Sequence, residues 1–215
     1  MISKIQKRER FGIFGGTFDP PHVGHLILAM EAYDQLKLKK VLWVLAPNPP
    51  HKMGKEITST EMRIEMVEAA IGEDPIFEMS RIDIDRPRPH YVLETMQLLR
   101  KEYPSKELIF LMGGDSLMDL PSWHQPDAFI QSCDKLGVMH RVGEKIELKN
   151  LEEKLSGLSQ KIEFIEAPLL EISSNQIRFL VSQYKPYRYY LPPRVYGLIE
   201  KYHLYKNQIE CKEEK

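Results

Sequence analysis

The stretch Phe11-Gly12-Ile13-Phe14-Gly15-Gly16-Thr17-Phe18-Asp19-Pro20-Pro21-His22-Val23-Gly24-His25 decides how this chain folds. Its apolar beginning predicts a strand from about Arg10 to Phe14. Val23, Leu26, Ile27, Met30 and Tyr33 fall on one face of a helix expected from His22 to about Leu36. Between them lies a tight glycine loop. A helix start carries unpaired N–H groups and partial positive charge. A glycine loop ahead of it lets a phosphate approach the backbone. His22 and His25, three residues apart in the first helical turn, stand side by side. The pattern points to a polyphosphate site near the N-terminus of an α/β fold. The histidines could also be a core or capping pair, or two ligands of a metal. Zinc needs further ligands, and no other His, Cys or carboxylate pair stands at a suitable spacing. Gly24 inside the helical turn costs about 1 kcal/mol relative to Ala. That cost favours a ligand lying against the helix.

Outward from this stretch, candidate strands and helices alternate, which predicts a parallel sheet covered on both faces. Val41-Leu42-Trp43-Val44-Leu45 reads as a buried parallel strand. A loop rich in Pro and Lys follows. A helix then opens with Thr58 and Glu61 in capping-box spacing and buries Met62, Met66, Val67 and Ala70. Further strands are expected within 76–84 and over 108–112, 136–140 and 162–165, with a helix over 91–101. Short helical pieces surround Pro121 and Pro126. A charged amphipathic segment spans 148–158. Ser residues ahead of Ile177 mark one late helix start, and Pro192-Pro193 another. One domain is expected over 1–206, its C-terminal helical part from about 172, followed by a polar tail over 207–215.

Bulk properties narrow the classes. The chain has 215 residues, 42% of them hydrophobic and 28% charged, with a formal net charge of -1. A near-neutral protein is a poor partner for long polyanions, so no nucleic acid is expected, while a small anion in a local pocket is compatible. The cysteines, Cys133 and Cys211, form neither a disulfide framework nor a zinc pattern and fit a reducing cytosol. No secretory signal and no membrane-spanning run is read, so a cytoplasmic protein is expected. The chain has neither a GxGxxG fingerprint of dinucleotide-binding dehydrogenases nor a GxxxxGK[ST] P-loop.

GGTFDPPHVGH at Gly15 to His25 resembles the signature of the nucleotidylyltransferase superfamily with the (H/T)xGH motif. PNPPHK at Pro47 to Lys52, GGDS at Gly113 to Ser116, PSWHQ at Pro121 to Gln125, ISSNQIR at Ile172 to Arg178 and the ending LPPRVYGLIEKYHLY narrow the likeness. Together they resemble bacterial-type nicotinate mononucleotide adenylyltransferases, from Phe11 to Tyr205. The fold implied is a Rossmann-like doubly wound parallel α/β sheet with a small C-terminal helical part. The Lys52-Met53-Gly54-Lys55 run is similar to the lysine loop of class I aminoacyl-tRNA synthetases, but it stands one βαβ step after the histidines and is read with PPHK. Three positions depart from the family pattern: Val92 replaces a threonine, Glu94 an aspartate, and Asn175 a common threonine. Asn175 can still cap a helix.

The resemblance implies transfer of the adenylyl group of ATP to nicotinate mononucleotide, giving deamido-NAD and pyrophosphate. His22, His25, Lys52 and Arg178 are implied as the catalytic cations and donors. Gly15, Gly16, Thr17, Phe18, Gly24, Gly113, Asp115, Ser173 and Ser174 are implied around ATP, Asp115 on the ribose or as a helix N-cap. Val92, Trp123 and His124 are implied around the nicotinate nucleotide, Trp123 stacking on its cationic ring. Mg²⁺ is expected on the ATP phosphates and waters, with few or no protein ligands. A homo-oligomer is left open. Rival readings are the same chemistry on nicotinamide mononucleotide or phosphopantetheine, and a non-catalytic nucleotide sensor.

Overall fold

The computed structural model describes residues 8–47, 57–141, 148–168 and 170–206. The strands are β1 (Arg10–Gly16), β2 (Lys40–Leu45), β3 (Phe77–Ser80), β4 (Glu107–Gly113), β5 (Lys135–Arg141) and β6 (Ile162–Ala167). The helices are α1 (Val23–Gln35), α2 (Thr60–Ile71), α3 (Val92–Glu102), α4 (Gly114–Asp119), α5 (Pro126–Ser132), α6 (Leu148–Lys154), α7 (Leu158–Lys161), α8 (Ser174–Ser182) and α9 (Pro193–Tyr202). The six strands pair in the order β3-β2-β1-β4-β5-β6, every pair parallel.

Alternation of side chains along each strand builds two cores. Leu108, Phe110 and Met112 of β4 face α3, α5 and α6 in one cluster. Ile109 and Leu111 face α1 and α2 in the other. The chain thus leaves β1 toward one face and β4 toward the opposite face. β1 and β4 are neighbours, so a crevice opens between their carboxyl ends, the switch point where open α/β sheets bind ligands. A third cluster packs Met66 of α2 against Ile177, Val181, Val195 and Ile199, seating α8 and α9 beside the first half of the sheet.

Local readings shift in five places. Gly15 and Gly16 are not loop residues but the last two of β1, in register with Val44 and Leu45. His22 is the N-cap of α1, with extended φ and ψ of -140° and 170°, and so precedes the first helical turn. Small residues let α1 lie close to the sheet: Ala29 and Ala32 are fully buried, whereas Met30 on the expected face is 44% exposed. Ser59, not Thr58, caps α2, accepting from Met62 N–H at 3.3 Å. Arg63 and Ile71 join Met66 and Val67 on its buried side. The expected tail (207–215) and Lys52 lie outside the described residues.

Candidate active site

Thr17 to Pro21 joins β1 to the cap of α1. Phe18 takes the left-handed φ of +50°. For a non-glycine residue this costs on the order of 1 kcal/mol or more and persists only where the surroundings hold it. Its buried ring lies on Gly16, where a Cβ would come within 2.7 Å of two ring carbons. The Phe18 ring therefore occupies the side of Gly16 where a Cβ would stand. Gly15 is exposed, with only the Phe110 ring 3.7 Å from its Cβ position.

Gly24 has a similar explanation. A Cβ there would stand 3.0 Å from Nδ1 of His22 and 3.2 Å from its Cε1. The glycine makes room for the His22 ring. That ring is 6% exposed and stacks on His25 at 3.7 Å with 26° between planes. Burial pushes the His22 pKa down to about 4, so the imidazole is neutral at pH 7. Its Nδ1 is buried without a hydrogen-bond partner. The His22 backbone N–H donates to Nδ1 of His25 at 3.1 Å. Nδ1 of His25 is therefore an acceptor, which places that ring's proton on Nε2. Phe14 and Phe18 meet the His25 ring edge-on at 6.0 and 5.2 Å.

The residues expected on the phosphate side converge on the same loop. Arg178 of α8 donates through Nη1 to the Asp19 carbonyl at 2.7 Å and through Nη2 to Oδ1 of Asn175 at 2.6 Å. Ser174 donates to the Pro20 carbonyl at 2.8 Å. Ser173 caps α8 by accepting from Gln176 N–H at 3.1 Å. Asn175 orients the guanidinium instead of capping the helix, the role expected for it. The N-terminus of α8, its arginine and the histidine loop thus form one corner of the crevice.

The other side follows β4. Gly113 is the N-cap of α4 with open space where a Cβ would be. Asp115 is exposed in the first turn of α4, so it is not the cap. Trp123, partly buried, meets Phe110 edge-on at 6.2 Å and Phe129 at 5.3 Å. Phe110 is the ring beside Gly15, which brings the tryptophan toward the end of β1. His124 is exposed and stacks on Tyr91 at 4.0 Å and 21°. Tyr91 caps α3, whose first residue is Val92.

Several groups escaped the sequence reading. Arg63, 1% exposed, donates to the carbonyls of Thr58, Thr17, Ala46 and Pro47 at 2.7 to 3.1 Å and to Oγ1 of Thr60 at 3.3 Å. One guanidinium thus ties the exits of β1 and β2 to the entry of α2. Asp19, 3% exposed, supplies opposite charge to it and accepts from Thr58 N–H and the Tyr205 hydroxyl. The visible signal was Arg63 at helical spacing with Met66, Val67 and Ala70, a cation inside an apolar stripe. Asp83 is likewise buried, binding Thr95 Oγ1 and Arg86 Nε at 2.8 Å each. Arg86 also donates to the Pro89 and Tyr91 carbonyls, fixing the entry to α3. A cleft of about 420 Å³ beside β3, lined by Arg81, Arg86 and Tyr103 among others, lies at the sheet edge, away from the histidines. No helix among the described residues is long and apolar enough to cross a membrane.

A family model of cytidylyltransferase-like proteins matches residues 13–179. Over 197 residues the chain is 40% identical to a Thermomicrobium roseum protein named "Probable nicotinate-nucleotide adenylyltransferase", covering 92% of each. A Bacillus pumilus protein of the same name is 35% identical over 199 residues, covering 93% of this chain and all of that one. The Plasmodium falciparum nicotinic acid mononucleotide adenylyltransferase, solved with NaAD, superposes with a TM-score of 0.75 at 18% identity. That match covers 92% of this chain and 98% of the Plasmodium chain, and at such identity it is a likeness of fold. A histidine loop at the switch point of a 3-2-1-4-5-6 parallel sheet and relatives matching nine-tenths of the chain lead to one conclusion: this protein belongs to the cytidylyltransferase-like family, among the nicotinate-nucleotide adenylyltransferases.

Proposed function

We propose that this chain transfers the adenylyl group of ATP to nicotinate mononucleotide, releasing pyrophosphate and forming deamido-NAD. The observation that carries the reading is the stacked imidazole pair, one ring neutral by burial, the other with its Nδ1 occupied by a backbone N–H. Such a pair donates to phosphate oxygens and takes no proton from a nucleophile. The attacking group is a phosphate monoester, already anionic near pH 7, so no general base is required. The work left to the protein is to hold two anions in line and to stabilise charge as pyrophosphate leaves.

His25 donates from Nε2 to the triphosphate, and His22 packs beneath it as a second, neutral ring. The Gly15–Phe18 backbone lines the approach to the α-phosphate. Arg178 and the N-terminus of α8 with Ser173 and Ser174 face the β and γ phosphates, supported by the joint attachment of Arg178 and Ser174 to the histidine loop. Lys52 adds charge there, from the PPHK resemblance alone. Asp115, exposed at the carboxyl end of β4, accepts from the ribose hydroxyls, beside the open backbone of Gly113. Trp123 offers its ring to the pyridine, and the N-terminus of α3 at Val92, with His124 beside it, offers donors to the nicotinate carboxylate.

No three His, Cys, Asp or Glu side chains converge among the described residues. Mg²⁺ would arrive on ATP, since this ion keeps waters and takes phosphate oxygens in place of a protein cage. When bound it neutralises charge on the β and γ oxygens. The domain is read as single over 1–206, with 172–206 as its helical part, and as acting on small molecules in the cytoplasm.

Pyrophosphate release from MgATP with nicotinate mononucleotide, nicotinamide mononucleotide and phosphopantetheine in parallel tests the proposal. Release with the first alone, or far faster than with the others, is expected. Release only with another acceptor reassigns the substrate, and ATP binding without release under any acceptor leaves a sensor.

A further inference from the structure

The ending that resembles the family, LPPRVYGLIEKYHLY, has no part in the chemistry above, yet its last residue reaches the active-site loop. Beyond α9 the chain turns through His203 and Tyr205, both left-handed, with φ of +51° and +62°. The turn is closed by Leu204 N–H donating to the Ile199 carbonyl at 3.1 Å. It brings the Tyr205 hydroxyl 2.6 Å from Oδ1 of Asp19. Burial and the Asp19 carboxylate hold the phenol protonated, its pKa raised, so the hydroxyl donates and the carboxylate accepts. Oδ2 of Asp19 accepts from Thr58 N–H at 3.3 Å, and its carbonyl accepts from Arg178. Asp19 follows Phe18, whose left-handed backbone must be held from outside, and stands three residues before His22.

We propose that Tyr205 is a positioning residue, holding through Asp19 the backbone that presents Phe18, His22 and His25 to the triphosphate. The inference rests on the adenylyl-transfer reading for its effect on rate and on geometry alone for its effect on the loop. Loss of one hydrogen bond at the base of the loop lets the donors drift from the α-phosphate without removing any group that touches substrate. A displacement of about 1 Å in such a site costs up to about a hundredfold in rate.

The test is Tyr205→Phe in the full chain, which deletes one oxygen and keeps the ring. Tyr202→Phe, on an exposed tyrosine of α9, is the control. For Tyr205→Phe kcat should fall about ten- to a hundredfold, with KM for ATP and for the acceptor nearly unchanged. The control should turn over normally. Asp19→Asn combined with Tyr205→Phe should lower kcat no further than the worse single variant. An undiminished kcat, a loss confined to KM, or additive losses in the double variant would each overturn the proposal. The imidazole proton resonances of His22 and His25, recorded without substrate, should move in Tyr205→Phe and not in the control. Unmoved signals also overturn it. Wild-type protein inactive with every acceptor would sink the adenylyl-transfer reading, and the resonances would still decide on Tyr205.

Discussion

At the scale of single residues the site depends on buried groups held in one protonation state. His22 has a folded pKa of about 4 against an ordinary 6.5, lowered by burial. Between these values the unfolded chain binds a proton the folded chain refuses. Stability is therefore complete above pH 6.5 and declines as pH falls toward 4. At pH 5 the loss from this one ring comes to about 2 kcal/mol relative to pH 7. Urea unfolding of wild type and His22→Asn at both pH values should show a gap of that size between their pH responses. Equal responses would mean that the His22 ring is not held neutral. Arg63 makes the opposite case, a charge kept buried. Arg63→Met leaves the Thr17, Ala46, Pro47 and Thr58 carbonyls without their donor and Asp19 without its counter-charge. Removing one side of such a network costs about 3–5 kcal/mol. A urea midpoint unchanged within error would mean that water replaces the guanidinium.

At the scale of elements, the site depends on how helix entries are anchored. α3 begins after a loop gripped by the Asp83–Arg86–Thr95 network, and its first residue, Val92, stands where the pyridine nucleotide is proposed to bind. Thr95→Val keeps the shape but removes a buried hydroxyl that donates to Asp83. We expect it to destabilise by about 1–3 kcal/mol. It should raise KM for nicotinate mononucleotide several-fold while KM for ATP holds steady. Parallel shifts in both KM values would detach the network from the pyridine end. The elements themselves were legible. Buried strands such as Val41 to Leu45 are apolar throughout, and prolines mark the entries to α5 and α9. What sequence could not reveal was the orientation within an element. Whether Ile27 or Ala29 of α1 faces the sheet depends on how closely the helix packs, which small residues decide. Gly16 and Gly24 stand out in the sequence, but the rings of Phe18 and His22, two residues away, which fold back onto them, do not. Arg63, Asp19 and Tyr205 escaped because their partners lie in remote segments, and the chain's own pattern does not encode that meeting.

At the scale of the whole molecule, the nucleotide is proposed to sit where three separately stabilised parts meet. β1 and its histidine loop belong to the first half of the sheet, α4 to the second, and α8 to the C-terminal layer packed on α2. Among the described residues, Ser174 and Arg178 each join α8 to the loop by a hydrogen bond. A ligand that bridges these parts stabilises the folded state by mass action, about 2.7 kcal/mol at a hundredfold excess over Kd. For a chain of this length that raises Tm by roughly 5–10 °C. MgATP should produce such a rise in wild type. In Arg178→Ala the rise, measured from that variant's own unliganded Tm, should largely vanish, because the proposed clamp on the β and γ phosphates is gone. Nicotinate mononucleotide, proposed to bind on the β4 and α3 side, should shift both proteins alike. The contrast between ligands carries the argument, since a general weakening of the fold would lower the starting Tm without distinguishing them. An undiminished MgATP shift in Arg178→Ala would move the triphosphate away from α8 and leave the arginine as a strut between the C-terminal layer and the histidine loop.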